Sequence, residues 1–96
     1  TNAGLGAGFA DEHYVKAGAR IVPTAGDVFS TADMIIKVKE PQLQECKMLR
    51  PEQVIFTYLH LAPDPEQADG LLNAGCIAVA YETVTDAHGA LPLLAP

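Results

Sequence analysis

The sequence predicts an α/β domain whose parallel sheet is made of βα units. Short apolar runs rich in β-branched residues alternate with stretches of helical spacing, and proline or glycine stands between them. Strands and helices that alternate in this way pair in parallel through right-handed crossovers. A chain of 96 residues has room for one small core, so we expect at most one domain.

A short helix is predicted over residues 11–17. It opens on an aspartate that can cap it, and Gly18 supplies the left-handed stop. Phe9, Tyr14 and Ala17 would then face inward.

A brief strand is predicted over residues 19–22, where Pro23 ends it. Thr24 then caps a short helix that carries Phe29. Asp27 stands at the capping-box distance from that threonine.

The strand predicted over residues 34–39 is the centre of the fold. It is apolar at its start and ends before a proline. Because side chains alternate across a strand, Ile36 and Val38 would share one face, and Lys37 and Lys39 the other.

A second long strand, predicted over residues 54–61, repeats this arrangement and ends near His60. A helix over about 41–49 joins the two strands, with Cys46 as a small core residue.

The third unit is the clearest. Asp64 is a cap followed by proline at the first helical position, and the helix runs to about Asn73, where Gly75 closes it. A strand over 76–80 and a turn over 86–89 follow. The helix would bury Ala68, Leu71 and Leu72.

Composition excludes several classes of partner. The net charge is −6 and the six basic residues are not clustered, so neither nucleic acid nor an anionic membrane surface is an expected partner. No apolar run approaches the roughly 18 residues of a membrane span. The two cysteines are not spaced as a metal clip, so we expect no metal site and reduced thiols in a cytoplasmic protein.

The two ends of the chain are unusual. The opening run Gly4–Gly8 lacks the third glycine of a dinucleotide-binding fingerprint, because Phe9 stands there, and we expect a tight loop. The chain stops in an apolar tail over residues 91–96. We therefore expect an excised piece of a longer protein, with a sheet that lacks strands.

Lys39 and His60 are the candidate site residues. Each lies at the C-terminal end of one of two successive predicted strands, and ligands of open parallel sheets lie beyond the carboxyl ends of the strands. A lysine there can hold a carboxylate or carbonyl oxygen, and a histidine can transfer a proton near neutral pH. The alternatives are a solvated lysine that can pair with the adjacent Glu40, and a core histidine.

Three further residues belong to the same edge. Tyr58 could line the crevice, although aromatic packing is the simpler interpretation. Lys37 is expected to lie along the sheet with its ammonium in solvent. For Glu82 we expect a salt bridge or a solvated position.

Several segments together resemble the N-terminal domain of the NAD-dependent alanine dehydrogenase family. The similar segments cover nearly the whole chain: residues 2–9, 36–41 (Ile-Lys-Val-Lys-Glu-Pro), 56–62 (Phe-Thr-Tyr-Leu-His-Leu-Ala), 80–84 and 89–94. The resemblance implies a Rossmann-like or flavodoxin-like substrate domain. It also implies an oxidoreductase that converts L-alanine to pyruvate and ammonia with NAD, and a hexamer.

The resemblance also implies roles. Lys39, in the Lys-Glu-Pro motif, would bind the substrate, and His60, in the Leu-His-Leu motif, would act as acid and base and contact pyruvate. The family's substrate-binding arginine, catalytic aspartate and NAD-binding domain lie outside these residues. The chain alone is therefore expected to hold no NAD and to be inactive.

Two alternatives remain. One is the related NAD(H)-binding component of proton-translocating transhydrogenase, whose family lacks the Tyr-Leu-His-Leu-Ala pattern around His60. The other is a non-enzymatic sensor of amino acids or keto acids on the same scaffold.

Overall fold

The fold is a three-stranded parallel sheet in a computed structural model that describes residues 1–95. The strands, in spatial order, are β1 (Met34–Ile36), β2 (Val54–Thr57) and β3 (Ile77–Ala80). In the register, Ile35 pairs with Ile55, and Ile55 pairs with Ala78. The predicted α/β class is confirmed.

Within residues 1–95, four α-helices accompany the sheet: α1 (Asp11–Lys16), α2 (Ala25–Thr31), α3 (Leu43–Cys46) and α4 (Pro65–Ala74). The same residues include short 3₁₀ helices at Leu5–Ala7 and Tyr81–Thr83. Helix α3 and helix α4, which lead into β2 and β3, pack against each other. Among residues 1–95, no helix has the length and apolar character needed to cross a membrane.

The predicted caps of α2 and α4 are confirmed, whereas α3 is shorter at both ends than the helix predicted over about 41–49. The Thr24 hydroxyl accepts from the Asp27 N–H at 3.2 Å and donates to the Asp27 carboxylate at 2.8 Å. The Asp64 carboxylate accepts from the N–H of the third helical residue of α4 at 3.1 Å. Gly75 ends that helix at φ 69°, a left-handed conformation that favours glycine.

The core lies on one face of the sheet. Ile55 at the centre of β2 is fully buried, and Cys46 is buried as predicted. Burial raises the pKa of the Cys46 and Cys76 thiols, so both remain neutral. The other buried apolar residues are Phe29, Ile35, Leu49, Leu59 and Leu71.

A buried amide connects this core to helix α2. The Gln53 side chain donates to the carbonyls of Phe29 and Ala32, each at 2.8 Å. These bonds satisfy carbonyl groups at the end of α2 and fix it beside the start of β2.

One residue predicted to be buried, Leu72 on α4, is exposed, and the two faces of β1 differ in exposure. Ile36 and Val38 are each 72% exposed, whereas Ile35, between them and the start of β1, is buried. Leu72 on α4 is 78% exposed. The reason is that the helices of residues 1–95 cover only the face of the sheet on which Ile35 and Ile55 lie.

The amino-terminal part also differs from the prediction. Helix α1 forms, but it buries none of its residues, and Phe9 and Tyr14 remain 56% and 37% exposed. Residues 19–22 form no strand. A strand needs a ladder partner, and the predicted pattern rested on composition alone.

The central elements are shorter than predicted. Pairing between β1 and β2 ends with the bond from the Lys37 N–H to the Phe56 carbonyl. Beyond β1 and β2, both segments of the chain leave the sheet and form loops. The predicted turn over residues 86–89 is present, whereas Pro96, the last residue of the predicted apolar tail, lies outside the described residues.

Candidate functional site

The candidate site is the edge of the sheet at which the parallel strands end. Lys39 follows β1 and His60 follows β2, and because these strands are neighbours the two loops lie side by side. The fully buried Thr57, the last residue of β2, donates a hydrogen bond from its hydroxyl to the Lys39 carbonyl at 2.7 Å. This bond ties the loop that carries Lys39 to the end of the strand that precedes the His60 loop.

The two lysines of β1 and its loop have different surroundings. The Lys37 ammonium binds both carboxylate oxygens of Glu45 on α3, at 2.8 and 2.7 Å, so the prediction of a solvated head is wrong. Within residues 1–95, the Lys39 ammonium makes neither an ion pair nor a hydrogen bond, to Glu40 or to any other residue. Within the described residues, the Lys39 ammonium is therefore available to a ligand.

A small pocket lies at this edge. Its volume is about 220 Å³, and its lining includes Lys39, Tyr58 and Tyr81 together with Val38 and the leucines at 93 and 94. The Tyr81 hydroxyl donates to the Val38 carbonyl at 2.8 Å, which holds the aromatic ring against the lysine loop. The pocket thus joins one cation to apolar and aromatic walls, a combination typical of sites for small charged ligands.

His60 lies beside this pocket rather than among its lining residues. Its ring stacks on that of Tyr58, with centroids 5.5 Å apart and planes inclined by 13°. The imidazole is exposed, which contradicts the alternative of a core histidine. Tyr58 therefore connects the pocket to His60, since it lines the pocket and stacks against the imidazole ring.

The backbone at His60 has an unusual conformation. Its φ is 46°, in the left-handed region that side chains other than glycine seldom adopt. The Glu82 carboxylate accepts hydrogen bonds from the His60 N–H at 2.7 Å and from the Leu59 N–H at 3.1 Å. The expectation of a solvated or salt-bridged Glu82 is therefore wrong.

The environment of Glu82 favours its charged form. Partial burial raises the pKa of the carboxyl group, but the hydrogen bonds from the N–H groups of His60 and Leu59 outweigh that effect. The pKa of Glu82 consequently lies below its ordinary value. The sequence places this residue at the same edge, yet nothing local indicates that it binds the backbone 22 residues earlier in the chain.

The amino-terminal glycine run does not fit a dinucleotide. Residues 5–7 form a 3₁₀ helix, and the N–H groups of Ala7, Gly8 and Phe9 already donate to carbonyls within the loop. They are thus not free to bind a pyrophosphate, as the N–H groups of a phosphate-binding loop would be. Among residues 1–95, no cluster of three or more histidine, cysteine or acidic side chains could hold a metal ion.

A parallel sheet with polar side chains at its carboxyl edge defines a ligand-binding α/β domain. Comparison with known proteins gives the family. The family model described as "Alanine dehydrogenase/PNT, N-terminal domain" matches residues 1–96. The chain belongs to this family.

Several relatives are alanine dehydrogenases. The chain is 53% identical over 94 residues to that of Methanococcus maripaludis and 49% identical over 94 residues to that of Mycobacterium tuberculosis. It is 49% identical over 96 residues to that of Bacillus subtilis. These matches cover 98%, 98% and 100% of the chain but 25% of each relative, so the chain spans about a quarter of their length.

Solved structures give the same result. An L-alanine dehydrogenase is 49% identical, with a TM-score of 0.91, over 98% of this chain and 26% of its own. A transhydrogenase from Sinorhizobium meliloti is 37% identical, with a TM-score of 0.76, over 84% of this chain and 24% of its own. The fold is therefore shared with both kinds of protein.

Proposed function

We propose that the chain is part of the N-terminal substrate domain of an alanine dehydrogenase. The complete enzyme would oxidise L-alanine with NAD⁺ and water to pyruvate, ammonium, NADH and a proton. The observation that carries this proposal is the bond from Thr57 to the Lys39 carbonyl, because it fixes the backbone of Lys39 beside the loop that presents His60. The identity of about half to relatives named alanine dehydrogenase supports it.

Lys39 is proposed to bind the substrate. Its unpaired ammonium can hold the carboxylate or carbonyl oxygen of pyruvate through charge-assisted hydrogen bonds. A cation in this position also stabilises negative charge that develops on that oxygen during reaction.

His60 is proposed to transfer protons. Oxidation of the α-carbon gives an imine, to which water adds before ammonia leaves, so a proton must be taken from water and another given to nitrogen. An imidazole titrates near neutrality and can do both. Its exposed ring on Tyr58 leaves its nitrogens accessible to a substrate or a water molecule.

NAD is proposed to bind a different part of the full-length protein, because the glycine run of this chain does not fit it. We therefore infer that residues 1–96 alone catalyse no turnover. Turnover of L-alanine by the isolated chain would contradict that inference. For the full-length protein we propose a cytoplasmic homohexamer, which light scattering of the purified protein would test.

The test of the proposed activity is replacement of His60 by asparagine in the full-length protein. The rate of alanine oxidation should fall by about two or more orders of magnitude, as loss of an acid–base group usually costs. Pyruvate binding, measured by calorimetry, should persist because Lys39 is unchanged. A non-enzymatic sensor would instead show no NAD reduction before the substitution and only a changed affinity after it.

A transhydrogenase component is the second candidate, supported by the similarity to the protein from Sinorhizobium meliloti. It predicts hydride transfer between two nicotinamide nucleotides and no alanine-dependent reduction of NAD. Measuring both reactions on the full-length protein separates the two candidates.

A further inference from the structure

Glu82 is the one acidic side chain that hydrogen-bonds to the backbone of Leu59 and His60 in the described part of the chain. It lies in the 3₁₀ helix that directly follows β3, next to the carboxyl end of β2. Its two oxygens accept three hydrogen bonds, two from Leu59 and one from His60, all from backbone N–H groups. It therefore contacts the backbone of the proposed proton-transfer residue without occupying the pocket.

The geometry requires such a contact. Peptide N–H groups that leave a strand lose their ladder partners, and here those of residues 59 and 60 point at one carboxylate. A histidine at φ 46° is also strained, and such strain persists only where the surroundings hold it. The Glu82 carboxylate stabilises this backbone conformation through charge-assisted hydrogen bonds.

We propose that Glu82 is a positioning residue for His60: it holds the left-handed turn that lays the imidazole on Tyr58 at the edge of the pocket. This inference rests on the proposed function, since it gives Glu82 a role in the reaction only through His60. Glu82 itself would touch neither substrate nor cofactor.

A carboxylate suits this role better than an amide. Glutamate presents two equivalent acceptor oxygens to the two N–H groups, whereas glutamine presents one acceptor and one donor group. In Glu82→Gln, the amide NH₂ would face a backbone N–H, so at least one bond would be lost. The turn would then relax and displace the imidazole from its place on Tyr58.

The first measurement compares steady-state kinetics of the full-length protein and Glu82→Gln. We expect kcat for alanine oxidation to fall about ten- to a hundredfold, as small misplacements of reacting groups do. KM should change little, because Lys39 and the pocket are left in place. Glu82→Asp, which keeps the charge but shortens the reach, should retain more activity than Glu82→Gln.

The matched control is Glu52→Gln. Glu52 is exposed, precedes β2 at the opposite edge of the sheet, and loses the same charge on substitution. Its kcat should equal that of the unsubstituted protein. An equal loss in both variants would mean that net charge, and not the contact with His60, determines the rate, and would overturn the proposal.

A double-mutant cycle with His60→Asn separates this inference from the proposed function. If Glu82 acts through His60, Glu82→Gln should cause no further loss of kcat once the imidazole is absent. Independent losses would overturn the positioning role. An unchanged rate in His60→Asn alone would instead overturn the proposed function.

A folding defect is also distinguishable. Pyruvate affinity of Glu82→Gln, measured by calorimetry, should stay within about twofold of the unsubstituted protein if the pocket is intact. Loss of pyruvate binding in both Glu82→Gln and Glu82→Asp would show a general structural role and would overturn the proposal.

Discussion

The hydroxyl of Thr57 donates a hydrogen bond to the carbonyl of Lys39, 18 residues earlier in the chain, at 2.7 Å. Thr57 is fully buried, so its position is set by the core. Its bond to the Lys39 carbonyl therefore restrains the exposed loop that carries Lys39. The loop after β1 is thus held by the strand that presents the His60 loop.

Replacing Thr57 by valine should loosen the lysine loop. The substitution conserves shape but removes the donor, and the lost bond should cost about 1 kcal/mol of stability. In the full-length protein we expect weaker pyruvate binding with little change in the rate at saturation. Thr57→Ser, which keeps the hydroxyl, is the control; a pyruvate affinity equal to that of the serine variant would show that the bond does not support the site.

The two lysines should respond in opposite ways to substitution by glutamine. Lys39→Gln should abolish measurable pyruvate binding with little effect on stability, because its ammonium has no partner within residues 1–95. Lys37→Gln should lower stability by about 1 kcal/mol, since its partner Glu45 is left partly buried, and should keep the affinity for pyruvate. Calorimetry and urea unfolding of both variants measure the two effects, and loss of binding in Lys37→Gln alone would reverse the assignment.

Alanine substitutions at two helical glycines, Gly70 and Gly26, should have opposite effects on stability. A Cβ at Gly70 in α4 would lie 3.1 Å from the Cys46 Cβ in α3, so Gly70→Ala should push the helices apart and lower stability by about 1 kcal/mol despite better helix propensity. Gly26→Ala in α2 meets only the Thr24 hydroxyl, at 3.8 Å, and should gain about 0.5–1 kcal/mol. Hydrogen exchange of amides in each helix gives the change, and a stabilising Gly70→Ala would show that α3 has room to move.

The stability conferred by Glu82 should depend on pH. The pKa of its carboxyl is lower in the folded protein than its ordinary value of 4.5, so its contribution is complete above that value and is lost as the pH falls through the lower, folded pKa. Urea unfolding should therefore show a larger gap between the unsubstituted protein and Glu82→Gln at about pH 6 than at about pH 3.5. A gap that is constant across this range would contradict the ionised hydrogen-bonded carboxylate.

Local signals predicted local structure. The Thr24 and Asp64 caps and the Gly75 stop are confirmed because each depends on residues within one helical turn. The order of strands and helices from β1 to β3 was also predictable, since apolar runs and breakers alternate along that part of the chain, whereas the strand predicted over residues 19–22 does not form.

What the sequence could not show depends on distant contacts. Which side of β1 is covered depends on where the helices pack, so the alternation of side chains along the strand did not show that Ile35 is buried and Ile36 exposed. At the candidate site, the positions of Lys39 and His60 beyond their strands followed from the parallel sheet. The ion pair of Lys37 and the contact of Glu82 did not, because both partners come from other elements.

The bond from His60 to Glu82 also has a consequence for the order of folding. The two residues are 22 positions apart, and β3 lies between them. During synthesis the imidazole loop can therefore reach its final shape only after the third strand has emerged and docked. Non-local contacts of this kind form late because loop closure must come first, so catalytic competence should arrive after the hydrophobic centre has already condensed.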